Sequence, residues 1–295
     1  PSDSYNIQEY SSLKEAYNQT PDILFVTNPT SKHINSTLQG LKNNCHVFIE
    51  KPLGDSLENI EAIINKVKEK KLIAMLGYQM RFHPAFKLLI SLINENKLGN
   101  LMSASFCFGE YLPNAHPYED YQRTYSAKKE QGGGVVFSYC HEIDMIYKLF
   151  GIPSKILAYG SQKSNLKVDV IDNANILIYY EKYTLPINVQ LDYVSFPPRR
   201  NCTLIGSLGY FYWDMITNKV TVEFNNNKKA IHHDFSSLDR NKLFELEISY
   251  FFDCIKQRKI KESTIYDGAN NMIILNAINE SILNGSIVQI NSQFS

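Results

Sequence analysis

Three short apolar runs, set apart by helix-period segments, constrain the start of this chain most. DILFVT (22–27), VFI (47–49) and LIAML (72–76) are each of buried-strand length. After the first comes the turn Asn28-Pro29-Thr30-Ser31, whose Thr30 or Ser31 can cap a helix over residues 33–43. After the second, Ser56 can cap a helix reaching Lys70, with Ile60, Ile63, Ile64 and Val67 at helical spacing. A short helix over 13–17 precedes them all. Strands buried on both faces and alternating with helices imply a parallel sheet. Beyond a helix over 84–96 the pattern changes. Runs at 101–108, 155–160, 174–180, 185–194, 201–206, 209–214 and 220–224 read as strands, and several alternate apolar and polar residues. That is the signature of an antiparallel sheet with one covered face. Helices are expected over 135–150, 244–257 and 268–284, the last ending at Gly285 as C-cap, and a loop over 225–229. The fold class is therefore α/β followed by α+β, divided into residues 1–77 and 78–295.

Composition narrows the function. Lys plus Arg and Asp plus Glu are both 30, so the net charge is zero, which speaks against a nucleic-acid partner. No apolar run approaches the roughly 20 residues of a membrane span, and no signal peptide opens the chain. Five scattered cysteines without a CxxC pair argue against a metal site or redox dithiol and for reduced thiols in a cytoplasmic protein.

Two constellations carry chemistry. Glu50-Lys51-Pro52 ends a parallel strand, the edge where open α/β sheets bind ligands. There Lys51 is either a cation beside a reacting oxygen or a surface lysine before a turn. Gly132-Gly133-Gly134 leads into His141 and Asp144, three residues apart and on one helical face. The pair is either an acid/base histidine whose carboxylate neighbour holds its tautomer, or a helix histidine salt-linked for stability. Between them, Arg81 and a polar, ring-rich loop over 111–125 bearing His116, Asp120 and Arg123 either offer groups suited to sugar hydroxyls or a carboxylate, or are the incidental charges of a solvated loop.

Four segments in order, DILFVTNPTSKH (22–33), CHVFIEKPL (45–53), YQMRFHP (78–84) and GGG through HEID (132–144), resemble the Gfo/Idh/MocA (glucose–fructose oxidoreductase/inositol dehydrogenase) family. The resemblance implies a Rossmann domain, partial here, then a domain with a large open, mostly antiparallel sheet. It also implies NAD or NADP as cofactor, a sugar or sugar-derived alcohol as substrate, and homodimers or homotetramers packed through those sheets. By resemblance Lys51 and His141 are catalytic, with Asp144 setting the histidine tautomer. Asn28, Pro29, Thr30, His33 and Glu50 join Lys51 around the cofactor. Arg81, His116, Asp120 and Arg123 face the substrate. The loop together with HEID resembles a subgroup tied to bacterial surface-glycan and unusual-sugar pathways.

Two departures stand out. There is no GxGxxG turn, which leads us to expect about 40 residues ahead of Pro1, judged from a βαβ unit with its connections. Residues 137–140 hold no aspartate where many members carry one. The alternative readings are an NAD-recycling glycoside hydrolase and a non-catalytic sugar- or partner-binding protein.

Overall fold

The computed structural model describes residue 5, residues 7–225 and 229–291, and residue 294. The expected loop at 225–229 thus falls partly, at 226–228, outside the described residues.

The first three apolar runs form β1 (Ile23–Val26), β2 (His46–Ile49) and β3 (Ala74–Leu76), parallel and in the order β1-β2-β3. The crossover helices are α1 (His33–Lys42) and α2 (Ile60–Lys70). Neither begins with the cap expected of it. A 3-10 turn over Thr30–Lys32 leads into α1 without a side-chain cap, and α2 starts after Asn59 in the left-handed conformation rather than at Ser56. Burial of Ile60, Ile63 and Ile64 in the core, with α2 packed on α1, holds the helix in place of a cap.

After α3 (Pro84–Asn94) the chain builds a nine-stranded sheet. Its strands are β4 (Leu101–Gly109), β5 (Lys155–Ser161), β6 (Asn173–Tyr180), β7 (Leu185–Asp192), β8 (Arg199–Gly206), β9 (Gly209–Asp214), β10 (Lys219–Phe224), β11 (Ile231–Asp234) and β12 (Val288–Gln289). The order is β11-β10-β9-β8-β4-β7-β6-β5-β12, antiparallel except for the β4–β7 pair. Strands β11 and β12 escaped the sequence reading: IHHD has no alternation to read, and β12 is two residues long. The helix expected over 135–150 is two, Val135–Ser138 and α4 (His141–Phe150), broken at Tyr139 and Cys140. His141 therefore opens a helix instead of sitting within one.

The last helices, α5 (Arg240–Gln257) and α6 (Ile265–Asn284), begin earlier than the sequence suggested. In α6 the reason is a capping box: the Thr264 side chain meets the Asp267 backbone N–H while the Asp267 carboxylate accepts from Thr264 N. Both helices return to the parallel sheet. Gly268 packs so closely on Leu76 that a Cβ would lie 2.7 Å from its side chain. Phe251 of α5 meets Phe48 edge-on at 5.6 Å and Phe25 at 5.9 Å. Replacing fully buried Phe251 with alanine should lower stability by about 3–5 kcal/mol. Chemical denaturation checks this; an unchanged midpoint would show that α5 does not brace the sheet.

Candidate active site

Strand β2 delivers Glu50 and Lys51 to the C-terminal edge of the parallel sheet. The Glu50 backbone N–H donates to the Val26 carbonyl at 2.9 Å, and Gly77 N donates to Ile49 O at 2.8 Å, so the strand end is held from both sides. The Lys51–Pro52 peptide bond is cis. The Lys51 ammonium reaches 87 residues along the chain and donates to the Ser138 carbonyl at 2.8 Å. Burial works against its charge, but Tyr125, Cys140 and Glu50 around it hold the pKa above the ordinary lysine value. Lys51 is therefore a cation at neutral pH.

The glycine run places its partner. Gly134 has φ +103°, and a Cβ on Gly133 would stand 2.2 Å from the Tyr125 carbonyl, a contact no side chain tolerates. That closeness lets the 111–131 segment lie against the turn before Val135–Ser138. Tyr193, just past β7, puts its hydroxyl 2.7 Å from Ser138 Oγ and 3.2 Å from the Ser126 carbonyl, fixing the turn from the far side.

His141 is buried, its Nδ1 has no hydrogen-bond partner, and its ring stands edge-on to Tyr78 at 6.2 Å. Burial, then the charges of Lys51, Arg200 and Arg240, lower its pKa well below the ordinary value of 6.5. It is a neutral imidazole at neutral pH. Lys51 and His141 both line one cavity of about 680 Å³, together with Glu110, Tyr125, Tyr139 and Arg200. A neighbouring cavity of about 430 Å³ lies at the ends of β1 and β2, and Lys51, Glu50 and Tyr125 line both.

The second cavity collects the loop residues singled out in the sequence. Asn28, Pro29, Thr30 and His33 line it with Glu50 and Lys51. His33 is buried between two carbonyls, Nδ1 at 2.7 Å from Pro52 O and Nε2 at 2.7 Å from Asn28 O. It thereby ties the loop after β1 to the turn after Lys51. Burial lowers its pKa, and the two carbonyls pull the other way. An open rim of amide, hydroxyl and backbone groups beside a lysine suits the carboxamide end of a nicotinamide. His116 lines both cavities and bonds the Tyr118 hydroxyl at 2.9 Å; Arg123 lines the smaller one. Asp120 lines neither: its carboxylate caps the turn Tyr121–Arg123 through Gln122 N at 3.0 Å.

Two expectations are corrected. Asp144 does not meet His141. Its carboxylate accepts from Arg81 Nε at 2.9 Å and Nη2 at 2.6 Å, and from Asn271 Nδ2 at 2.9 Å. Sharing a helical face did not suffice, because a bidentate guanidinium is the stronger partner for a carboxylate. For the same reason Arg81 lines neither cavity. It is buried, with Asp267 at 3.0 Å as a second anion, and joins the segment after β3 to α4 and α6. Burial opposes the Arg81 charge, yet the two carboxylates hold its pKa above the ordinary arginine value.

Several wall residues went unread in the sequence. Arg200 donates from Nε to Glu142 Oε1 at 2.7 Å and stacks on Phe108 at 4.4 Å. The Tyr139 hydroxyl donates to Glu110 at 3.2 Å. Only the position of Arg200 opposite Phe108 in the β4–β8 register could have announced the stack, and register is not legible without the fold. Among the described residues no group of three or more His, Cys, Asp or Glu is placed to hold a metal, and no helix is long and apolar enough to cross a membrane.

Comparison with known proteins fits this geometry. Residues 2–78 match the GFO/IDH/MocA model described as an oxidoreductase family with an NAD-binding Rossmann fold. Residues 86–212 match the GFO/IDH/MocA C-terminal domain, so the two together span more than two thirds of the chain. The chain is 30% identical over 142 residues to 2,7-anhydro-N-acetylneuraminate hydratase of Escherichia coli (strain K12), covering 47% of this chain but only 36% of that protein. It is 23% identical over 276 residues to scyllo-inositol 2-dehydrogenase (NAD(+)) of Bacillus subtilis (strain 168), covering 91% of this chain and 78% of that one. Among solved structures, levoglucosan dehydrogenase in complex with NADH and levoglucosan superposes with a TM-score of 0.85 at 19% identity, over 96% of this chain and 84% of that one. At that identity the likeness is one of fold.

Removing one member of the buried ion pair separates structure from chemistry. Arg81→Ala should lower stability by about 3–5 kcal/mol, because it strands the buried Asp144 carboxylate without its partner. Denaturation of Arg81→Ala and of Arg81→Ala with Asp144→Asn checks this. The double variant should recover part of the loss, and no recovery would contradict the pairing.

Proposed function

The chain belongs to the GFO/IDH/MocA oxidoreductase family, and on that premise we propose that it is an NAD(P)-dependent enzyme moving a hydride between a nicotinamide and an alcohol carbon of a sugar or sugar-derived compound. The observation that carries this reading is the convergence of Lys51 and His141 on one cavity, with Lys51 also lining the cavity at the strand ends.

In the oxidising direction, neutral His141 accepts the substrate hydroxyl proton. Its burial and the cations around it keep the imidazole unprotonated and ready to act as base. Lys51 donates a hydrogen bond to the same oxygen and stabilises the negative charge that grows there. Its tether to the Ser138 carbonyl aims the ammonium before substrate arrives, so little reorganisation is needed. Asn28, Pro29, Thr30, His33 and Glu50 are the residues that would hold the nicotinamide end. When bound, the cofactor supplies the ring carbon that takes the hydride. His116 and Arg123, which line the smaller cavity, are the groups of the long loop that would meet substrate or cofactor. We further propose a bacterial surface-glycan or unusual-sugar pathway in the cytoplasm, and a homodimer or homotetramer, as the setting of this activity.

A second reading, turnover without net redox, draws on the hydratase relative. Net reduction of free NAD or NADP separates the two, since a cofactor-recycling reaction leaves none.

In the full-length protein, Lys51→Ala should cut kcat/KM by about 10²–10³-fold or more while the far-UV spectrum stays that of the wild type. Turnover like wild type would remove Lys51 from the reaction. The pH profile follows from His141. A base whose pKa is lowered is neutral above that lowered value, so the alcohol-oxidation rate should hold as pH falls through 6.5 and decline only below it. An acid limb at or above 6.5 that disappears in His141→Gln would contradict this.

A further inference from the structure

We infer that the substrate carries an anionic group, a carboxylate or a phosphate, and that Arg240 and Arg200 receive it; this deepens the hydride-transfer reading and rests on it.

Three cations line the 680 Å³ cavity, each from a different element: Lys51 after β2, Arg200 on β8 and Arg240 in the first turn of α5. The acids on its wall do not balance them. Glu50 accepts from the Lys51 backbone N–H at 3.3 Å, and Glu110 accepts the Tyr139 hydroxyl. Arg200 has one carboxylate contact, Nε to Glu142, while its Nη2 is buried and has no hydrogen-bond partner. Stacking on Phe108 fixes the plane of the guanidinium. Arg240 is exposed to solvent, has no carboxylate within salt-bridge distance among the described residues, and holds its guanidinium 5.9 Å from the centre of the Phe244 ring.

Both arginines line the same cavity as His141. A neutral sugar would leave Arg240 answered only by solvent and Arg200 only by Glu142, beside a base that must take up a proton. An anion on the substrate would give the two cavity-lining guanidinium groups a counter-charge, and would ease protonation of His141 during the reaction. Planar guanidinium groups favour carboxylate and phosphate over hydroxyl. Trp213, Met215, Leu243 and Phe244 give this wall apolar stretches among its polar groups.

The test uses the full-length protein, NAD and NADP, and matched trios of a neutral aldose, its uronate and its 6-phosphate. Wild type should favour one anionic member over the neutral sugar by about tenfold or more in kcat/KM, and the uronate and phosphate arms tell which anion it is. Arg240→Ala should collapse that ratio through KM, Arg240→Lys should restore part of it, and added salt should erode it. A wild-type ratio of one or less, or a ratio untouched by Arg240→Ala, overturns the inference. Calorimetric titration of the same trios keeps it separate from the hydride reading. Preferential anion binding without cofactor reduction supports the arginine site and sinks hydride transfer. Turnover that favours the neutral sugar does the reverse.

Discussion

The contact on which the site depends is the Lys51 ammonium against the Ser138 carbonyl, a bond between residues 87 apart in sequence. It joins the end of the parallel sheet to the turn that introduces α4. The chemistry proposed for the site follows from that junction. Lys51 cannot move without releasing the turn, and the turn cannot move without displacing His141 three residues on. The glycine at 133 and the Tyr193 hydroxyl are the supports of the same joint, one permitting close approach and the other pinning Ser138. A tethered cation and a buried neutral imidazole on one cavity are poised before any ligand arrives, which is where electrostatic catalysis draws its strength.

A second buried electrostatic feature sits behind the first and does different work. The bidentate Arg81–Asp144 pair, with Asp267 and Asn271, welds α4 and α6 to the segment after β3. Burying two charges gives a small net return even when their geometry is good, whereas breaking such a pair is costly. The pair is therefore better understood as fixing one arrangement of helices than as a source of stability. It keeps the start of α4, and so His141, in one place.

Much of the fold was legible, because burial period speaks directly from sequence. The three parallel strands, the two crossover helices and seven strands of the large sheet lie where their apolar spacing put them. Lys51 and His141, read in the sequence as a strand-end cation and a histidine after a glycine run, both line the larger cavity. What failed was pairing. Spacing placed Asp144 on the face of His141, but the partner that claims it comes from residue 81, and no local pattern encodes a contact 63 residues away. Arg81 was lost to the substrate wall for the same reason. Arg200 and Tyr193 were missed because their roles depend on sheet register. The break at Tyr139 and Cys140 was hidden since both residues suit a helix interior, and tertiary contacts decide the geometry there.

The account's central claim is that His141 and Lys51 hold an alcohol while its carbinol hydrogen leaves as hydride. A sugar bearing deuterium at that carbon, incubated with the full-length protein and oxidised cofactor, tests it most directly through the mass of the recovered nicotinamide. The label should appear in the cofactor with wild type and vanish with His141→Gln. Label retained in the sugar by an enzyme that turns it over, or transferred equally well by the variant, would contradict the account.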